Sequence, residues 1–277
     1  MNESNKEIAG VKYVQAQRIA TTGPGRPAVT ESVCVPHEAP LTLDVDGVET
    51  YTLLCIPTDR LALAAGFLVG EGLVEQSADI ITLKVCDDDP GIIRIRLAGQ
   101  VPRIGDVGRN LLIVSSCGQC GSENLQGRIS ALPAAGDSLR IEPGILRSVY
   151  KTLGQSQSLF DVCGGTHAAA IFDETGRIVS MAEDTGRHNA LDKAIGKCFL
   201  AGEKTAGRGA VLTSRLSLEM VGRCARAGIE LVAAVSAPTS LAIDVASRCN
   251  ITLCAFVRET RATVFTHPAR IVGDFSI

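Results

Sequence analysis

The C-terminal half of the chain alternates apolar strand-like segments with amphipathic ones, and this alternation limits the possible folds more than any other feature. Residues 168–172 and 177–181 predict a hairpin, because the turn-forming segment 173–176 lies between them. Helices are predicted at residues 185–200, 216–227 and 240–249, and strands at residues 210–213, 230–236, 252–257 and 262–266. Strands that are apolar throughout are buried on both faces, so the pattern indicates a parallel sheet covered by helices on both sides.

The N-terminal part has a different pattern. Two alternating strands, at residues 41–45 and 49–56, are joined by the turn-forming pair Asp46-Gly47. A helix then begins near Thr58 and ends near Gly72, and strands follow at residues 80–85 and 92–97. We therefore expect a flexible arm over residues 1–30, a small α+β subdomain over residues 31–105, and an α/β domain over residues 106–277. The short apolar run 111–116 fits a strand or a helical turn equally well.

Composition excludes several classes of protein. With 277 residues, of which 45% are hydrophobic, the chain can bury a sizeable core without metals or disulfides. A net charge of -3 gives no basic excess for general nucleic-acid binding. The first twenty residues carry five charges and no continuous apolar core, and no apolar run reaches the roughly 18 residues of a membrane helix. We expect a soluble, cytoplasmic protein that does not enter the membrane.

Ten cysteines are many for such a chain, and without a secretory signal we expect them to be thiols. Six lie in apolar periodic segments and are predicted to be buried: Cys55, Cys86, Cys198, Cys224, Cys249 and Cys254. Cys117 and Cys120 stand apart, because glycines surround them and their C-x-x-C spacing commonly lowers a thiol pKa. A thiolate at Cys117 can attack a persulfide on a donor protein and carry the terminal sulfur, with Cys120 helping to release it.

Two other interpretations of this pair stay open. Cys117 and Cys120 can form a zinc site with Cys163 and His167, although the segment between the two pairs is long for a compact zinc module. The pair can also exchange disulfides, although that motif normally follows a strand inside a βαβ unit.

A binding edge follows from the strand order, because ligands of open α/β sheets bind outside the carboxyl ends of the strands. Three loops are predicted there: residues 214–215, 237–239 and 256–261. The first two also begin helices, whose N-termini favour phosphate. Arg215, Arg258 and Arg261 add donors suited to phosphate or guanine, although solvated arginines on a loop rim explain them equally well.

Several motifs together resemble the FdhD family of formate dehydrogenase accessory sulfurtransferases. They cover the chain from about residue 38 to 270 in order. The motifs are AGFL with GEG (65–72), SCGQCG (116–121), GTHAAA (165–170), EDTGRHNALDK (183–193), TSR (213–215) and ATVFTHP (262–268).

The resemblance implies that sulfur passes from a cysteine desulfurase to Mo-bis(molybdopterin guanine dinucleotide), a bound cargo, before this cofactor enters formate dehydrogenase. Cys117 would be the persulfide carrier and Cys120 its partner. The resemblance also implies a cytidine deaminase-like, three-layer α/β/α domain, a homodimer, and no resident metal or cofactor. The implied cargo-binding loop consists of Phe256, Val257, Arg258, Glu259, Thr260 and Arg261.

Departures from the family pattern limit what can be carried over. Cys163 stands where the family usually carries Thr, so it is not expected to be an essential ligand, and Glu259 and Thr260 stand where some relatives have smaller residues. A deaminase role is also disfavoured, because Ala169 stands where the H-x-E motif needs its glutamate. A second hypothesis, from a different functional class, is a zinc-stabilised chaperone that binds the molybdenum cofactor without transferring sulfur. Four further polar residues can either line the cofactor site or orient loops: His167, Asp184, Arg187 and His188.

Overall fold

The protein has a mixed α/β fold. A computed structural model of the chain describes residues 8–22, 27–99, 111–112, 127 and 129–273. Among these residues, none of the helices combines the length and the apolar character needed to cross a bilayer.

A two-stranded sheet begins the described chain. Strand β1 (Val11–Arg18) pairs antiparallel with β2 (Val29–Pro36) along its whole length. Residues 11–18 of the predicted N-terminal arm therefore form a strand, which the sequence pattern did not predict. Side chains of β1 are mostly exposed on both faces, so no apolar alternation marks this strand in the sequence.

The predicted ββαββ unit is confirmed. Its strands are β3 (Ala39–Val45), β4 (Glu49–Cys55), β5 (Ile80–Val85) and β6 (Ile92–Leu97), and β7 (Leu111–Leu112) completes an N-terminal sheet of order β5-β6-β3-β4-β7. Helix α1 (Arg60–Glu71) follows β4, with Asp59 rather than Thr58 at its N-cap. It ends at Gly72, whose φ of 73° suits glycine best. The predicted boundary between residues 105 and 106 lies outside the described residues.

Two helices precede the large sheet and were not predicted. They are α2 (Pro143–Ser156) and α3 (Ser158–Cys163). The sequence does carry a signal for α2. Pro143 suits a first helical position, and Leu146, Val149 and Leu153 follow at helical spacing and are buried.

The C-terminal half forms a six-stranded central sheet of order β13-β12-β11-β10-β8-β9. Strands β10, β11 and β12 are parallel neighbours, which confirms the predicted parallel sheet for these three. The β8–β9 hairpin and β13 flank them in antiparallel pairing. The elements are β8 (His167–Phe172), β9 (Ile178–Asp184), α4 (Arg187–Leu200), β10 (Gly209–Leu212), α5 (Leu218–Arg226), β11 (Leu231–Ala234), α6 (Ser240–Arg248), β12 (Thr252–Ala255) and β13 (Thr263–Val264).

Helices cover both faces of the central sheet, because successive strand residues point to opposite sides. Ala169 and Ile171 belong to a core that also contains buried residues of α1, α4, α5, α6 and the N-terminal sheet. Ala170 and Phe172 belong to a second core, built with the apolar face of α2. The first core is continuous from the N-terminal sheet to the C-terminal helices, so these parts pack as one body. The likeness of the layered part to cytidine deaminases stays a prediction.

Helices α1 and α4 cross so closely that glycine is required at the contact. A Cβ on Gly66 would overlap the backbone carbonyl of Asp192, and a Cβ on Gly196 would overlap that of Ala62. The crossing therefore depends on two missing side chains, one on each helix.

We expect Gly66→Ala to lower the free energy of unfolding by at least about 2 kcal/mol, because overpacking forces the two backbones apart. Gly154→Ala is the matched control, since Gly154 is an exposed glycine of α2 whose added Cβ would meet open space. The free energy of unfolding of that control should rise by up to about 1 kcal/mol, because alanine has a higher helix propensity than glycine. Denaturant unfolding of both variants measures the difference, and equal stabilities would contradict the close crossing.

Candidate functional site

The three predicted loops meet at the carboxyl edge of the parallel strands. Leu216 donates its N–H to the carbonyl of Ala237 at 3.1 Å, which joins the loop after β10 to the loop after β11. Val257 donates its N–H to the carbonyl of Ala234 at 3.1 Å, which joins the loop after β12 to the end of β11. The predicted edge is confirmed as one continuous rim. The first two loops begin helices α5 and α6, as predicted.

The six residues predicted to hold the cargo lie on this rim, but they differ in exposure. Phe256 adopts a φ of 52°, uncommon for a bulky residue, and is 40% exposed, with its ring centroid 6.3 Å from that of Phe265. Val257 is buried in the core and cannot offer its side chain to a ligand. The remaining four are exposed: Arg258, Glu259, Thr260 and Arg261.

One of the two arginines predicted to make this loop positively charged, Arg258, hydrogen-bonds to carbonyls of the protein itself. The Arg258 guanidinium donates to the carbonyls of Val235 at 2.5 Å and Val257 at 2.8 Å, and its backbone N–H donates to the carbonyl of Arg261 at 2.7 Å. Glu259 pairs with Arg147 across 3.3 Å at an exposed position. Arg258 therefore holds the loop in shape, whereas Arg261 is exposed at its end.

The cysteine predictions have two outcomes. Cys117 and Cys120 lie outside the described residues. The six cysteines predicted to be structural are all buried. Burial raises the pKa of Cys55 to about 11 and the pKa of Cys224 and of Cys254 to about 12. It also raises the pKa of the Cys198 and Cys249 thiols. These thiols are therefore protonated at neutral pH and poor nucleophiles.

A cavity of about 360 Å³ opens at the same edge, beside the ends of β8, β9 and β10. Sequence reasoning missed this cavity, because the unpredicted helix α3 and its N-cap Gln157 supply part of its wall. Its lining residues are Gln157, Phe160, Gly164, Gly165, Thr166, His167, Thr185 and Thr213.

Glu183 shapes this cavity from behind. Its carboxylate accepts the backbone N–H groups of Leu159 and Phe160, each at 2.9 Å, and the hydroxyl of Thr166 at 2.8 Å. A carboxylate on free N–H groups of a first helical turn is favourable, so Glu183 anchors the start of α3. The family-like motif at residues 183–193 thus begins with a residue that builds the cavity wall.

The Asp184 side chain points to the opposite face of β9. It holds backbone groups in place and does not line the cavity. Its buried carboxylate lies 2.7 Å from the Lys193 ammonium and accepts N–H groups from Ile56 at 3.0 Å and Gly186 at 2.9 Å. Lys193 also donates to the carbonyl of Ile56 at 2.9 Å. Of the two roles open to Asp184 from sequence, the structure supports the structural one.

Two of the histidines in the family-like motifs, His167 and His188, have a lowered pKa. Burial lowers the pKa of His167, which lines the cavity, and the nearby Arg187 charge lowers it further. Burial lowers the pKa of His188 to about 3, and the charges of Arg223 and Arg187 add to the effect. In the described part of the chain, His188 Nε2 is buried without a hydrogen-bond partner.

The structure describes no cluster of three or more His, Cys, Asp or Glu side chains that could hold a metal ion within residues 8–22, 27–99 and 129–273. In the zinc hypothesis, Cys163 and His167 would supply half of the ligands. The Cys163 thiol instead donates to the carbonyl of Leu159 at 3.0 Å, inside α3. The other two ligands of that hypothesis are Cys117 and Cys120, which the structure does not describe.

We expect the His188 ring to stay neutral from pH 8 down to pH 5. Its pKa is lower in the folded state than in the unfolded state, so only the unfolded chain takes up this proton between about pH 6.5 and 3. This group therefore lowers the stability by up to about 1.4 kcal/mol per unit as the pH falls through that window. NMR titration of the imidazole measures the pKa. His188→Gln should flatten the slope of stability with pH, and a normal pKa near 6.5 would contradict the prediction.

Comparison with known proteins places this chain in one family. The model of the FdhD/NarQ family matches residues 36–272. A "Sulfur carrier protein FdhD" from Bordetella petrii is 36% identical over 88% of both chains. One of the same name from Bordetella parapertussis is 37% identical over 94% of this chain and 95% of its own, and one from Thermoplasma acidophilum is 34% identical over 88% of both.

A solved structure agrees at the level of the fold. The crystal structure described as that of a formate dehydrogenase accessory protein from Desulfotalea psychrophila superimposes with a TM-score of 0.74. It covers 95% of this chain and 100% of its own, at 24% identity. Because the family model spans most of the sequence and the relatives align over nearly their whole length, this chain belongs to the FdhD/NarQ family.

Proposed function

We propose that this chain is a sulfur carrier for formate dehydrogenase maturation, acting as a sulfurtransferase. It accepts persulfide sulfur from a cysteine desulfurase and transfers it to Mo-bis(molybdopterin guanine dinucleotide) before this cofactor enters formate dehydrogenase. The observation that carries the proposal is the full-length similarity to relatives named sulfur carrier proteins. The cofactor is a cargo here, the carrier works in the cytoplasm, and we expect it to do so as a homodimer.

The distribution of thiols supports Cys117 as the carrier. Five of the described cysteines are disfavoured as nucleophiles, because burial raises their pKa. Cys117 and Cys120 keep the C-x-x-C spacing that favours a thiolate. A reactive pair in a chain whose buried thiols are inert makes sulfur loading selective.

The proposed transfer balances without an outside oxidant. The Cys117 thiolate attacks the terminal sulfur of the donor's persulfide, the S–S bond of the donor breaks, and its cysteine leaves as a thiolate. Attack by the Cys120 thiolate on the Cys117 sulfur then releases hydrosulfide and forms a Cys117–Cys120 disulfide. The two thiols supply the two electrons that reduce the transferred sulfur to sulfide, and a cellular dithiol later resets the pair.

Loading of Cys117 is tested with a cysteine desulfurase and free cysteine. Mass spectrometry should find one added sulfur on the Cys117 peptide of the unaltered chain. The corresponding peptide of the Cys117→Ala variant should carry none. Cys163→Ala is the matched control and should load like the unaltered chain, since the Cys163 thiol is used inside α3. If Cys117→Ala accepts as much sulfur as the unaltered chain, this assignment is wrong.

The rim loop is the proposed contact for the nucleotide part of the cargo. Arg261→Ala should weaken GDP binding roughly tenfold, the loss expected for one charge-assisted hydrogen bond. Arg94→Ala, an exposed arginine of the N-terminal sheet, should bind GDP unchanged. Calorimetric titration measures both affinities, and equal affinities for the two variants would argue against the loop.

A further inference from the structure

Gly70 and Gly72, in the family-like motif at the end of α1, leave space for two arginines of α5. A Cβ on Gly70 would lie 2.9 Å from Cγ of Arg223, and a Cβ on Gly72 would overlap the Arg226 guanidinium. Gly72 also ends α1 with its left-handed φ, whereas Gly70 lies inside the helix, where glycine is unfavourable. The close approach of α5 to α1 therefore accounts for a residue of low helix propensity at position 70.

The Arg223 guanidinium joins three helices. Its Nε lies 2.8 Å from an Asp192 carboxylate oxygen on α4, and its Nη2 lies 3.1 Å from a Glu71 carboxylate oxygen at the end of α1. At most 13% of each of these three side chains is exposed. A guanidinium presents its donors in a rigid planar fork, so the two ion pairs fix the position of α5 relative to α1 and α4.

Stability alone does not account for this arrangement. Well-packed apolar residues often replace a buried ion pair without loss of stability. The fold also holds α1 to α4 independently, through the close crossing at Gly66 and Gly196. What the arginine adds is a defined orientation of α5.

Helix α5 carries that orientation to the binding edge, because it begins directly after the rim loop that follows β10. Arg223 lies about one and a half turns after Ser217, the N-cap of α5. Leu216, the preceding residue, donates its N–H to the carbonyl of Ala237 at 3.1 Å and accepts the N–H of Thr239 at 2.9 Å. A change in the tilt of α5 therefore moves Leu216 and, through these two bonds, the rim loop after β11.

We propose that Arg223 is a positioning residue for the cargo site. Held by Glu71 and Asp192, it sets the direction of α5 and thereby the place of the rim loops after β10 and β11. The contacts themselves lie within the described residues, whereas the use of this rim for a nucleotide-bearing cargo rests on the proposed function.

Hydrogen exchange tests the position of the rim without any ligand. Glu71→Gln removes the charge that pairs with Arg223 but keeps the shape of the side chain. In this variant the amides of Leu216 and Thr239 should exchange about tenfold faster, within the range that packed networks transmit between sites. The change at Ala233, in the buried strand β11, is divided out because it reports global unfolding.

Glu230→Gln is the matched control. Glu230 is a buried carboxylate 3.5 Å from the buried Arg270, but it precedes β11 and so lies at the opposite edge of the central sheet. Its variant should leave the corrected exchange at Leu216 and Thr239 unchanged. Equal corrected exchange in Glu71→Gln and Glu230→Gln overturns the proposal.

Calorimetric titration with GDP connects the rim to the cargo. Glu71→Gln should bind GDP about tenfold more weakly than the unaltered chain, and Glu230→Gln should bind it with unchanged affinity. If rim exchange rises in Glu71→Gln while its GDP affinity stays normal, Arg223 does not position the cargo site and the proposal is wrong.

Two further results separate this proposal from the proposed function. If the unaltered chain binds no GDP, the nucleotide contact of the proposed function fails, whereas faster rim exchange in Glu71→Gln still supports positioning of the rim by Arg223. If Cys117 accepts sulfur and rim exchange is unchanged in Glu71→Gln, the carrier function stands and the positioning role fails.

Discussion

The ion pair between Asp184 of β9 and Lys193 of α4 connects the central sheet to the N-terminal sheet, because both side chains also bond to Ile56, the residue after β4. Both side chains are completely buried, and an isolated charge there would be strongly unfavourable. The cost is offset because every contact described for the pair is a complementary hydrogen bond. Asp184 accepts from Ile56, Gly186 and the Asn189 side chain, and Lys193 donates to Ile56. Removing one member of such a pair typically costs about 3–5 kcal/mol.

The pair also helps to position the cavity, because successive side chains of β9 point to opposite faces of the strand. Asp184 faces the N-terminal sheet and the start of α4, whereas Glu183, one residue earlier, faces α3 and the cavity. The end of one strand therefore holds both the residue after β4 and the wall of the cavity. The close crossing of α1 and α4 adds a second buried network, in which Arg223 pairs with Asp192 at 2.8 Å and Glu71 at 3.1 Å.

The residues that fill the core are different from the residues at the candidate binding edge. The thiols of Cys55, Cys224 and Cys254 fill core space and stay protonated, because burial disfavours a thiolate. The exposed rim loop and the cavity lie at one edge of the central sheet, where the parallel strands end and where ligands of open α/β sheets usually bind.

Sequence alone predicted the elements with strong periodicity: the ββαββ unit, the hairpin of β8 and β9, and the parallel strands with their helices. It also predicted the buried cysteines and the rim, because local apolar spacing and strand direction determine both. It missed β1, whose side chains are mostly exposed, and it missed α2 and α3. Periodicity reports only how a segment is buried, so the exposed β1 leaves a weak signal, whereas the buried spacing of α2 is a signal that the prediction did not use.

Only the tertiary structure decided the roles of the motif residues. In the sequence, Glu183, Asp184 and Thr185 are three adjacent polar residues with interchangeable roles. In the fold, Glu183 anchors a helix 24 positions away in sequence, Asp184 binds a strand end 128 positions away, and Thr185 lines the cavity. Those roles depend on contacts between segments far apart in the chain, which local pattern does not encode. The sequence by itself determined the family, the mixed α/β fold and the candidate thiol, whereas long-range packing decided which polar side chains face the cavity and which hold the protein together.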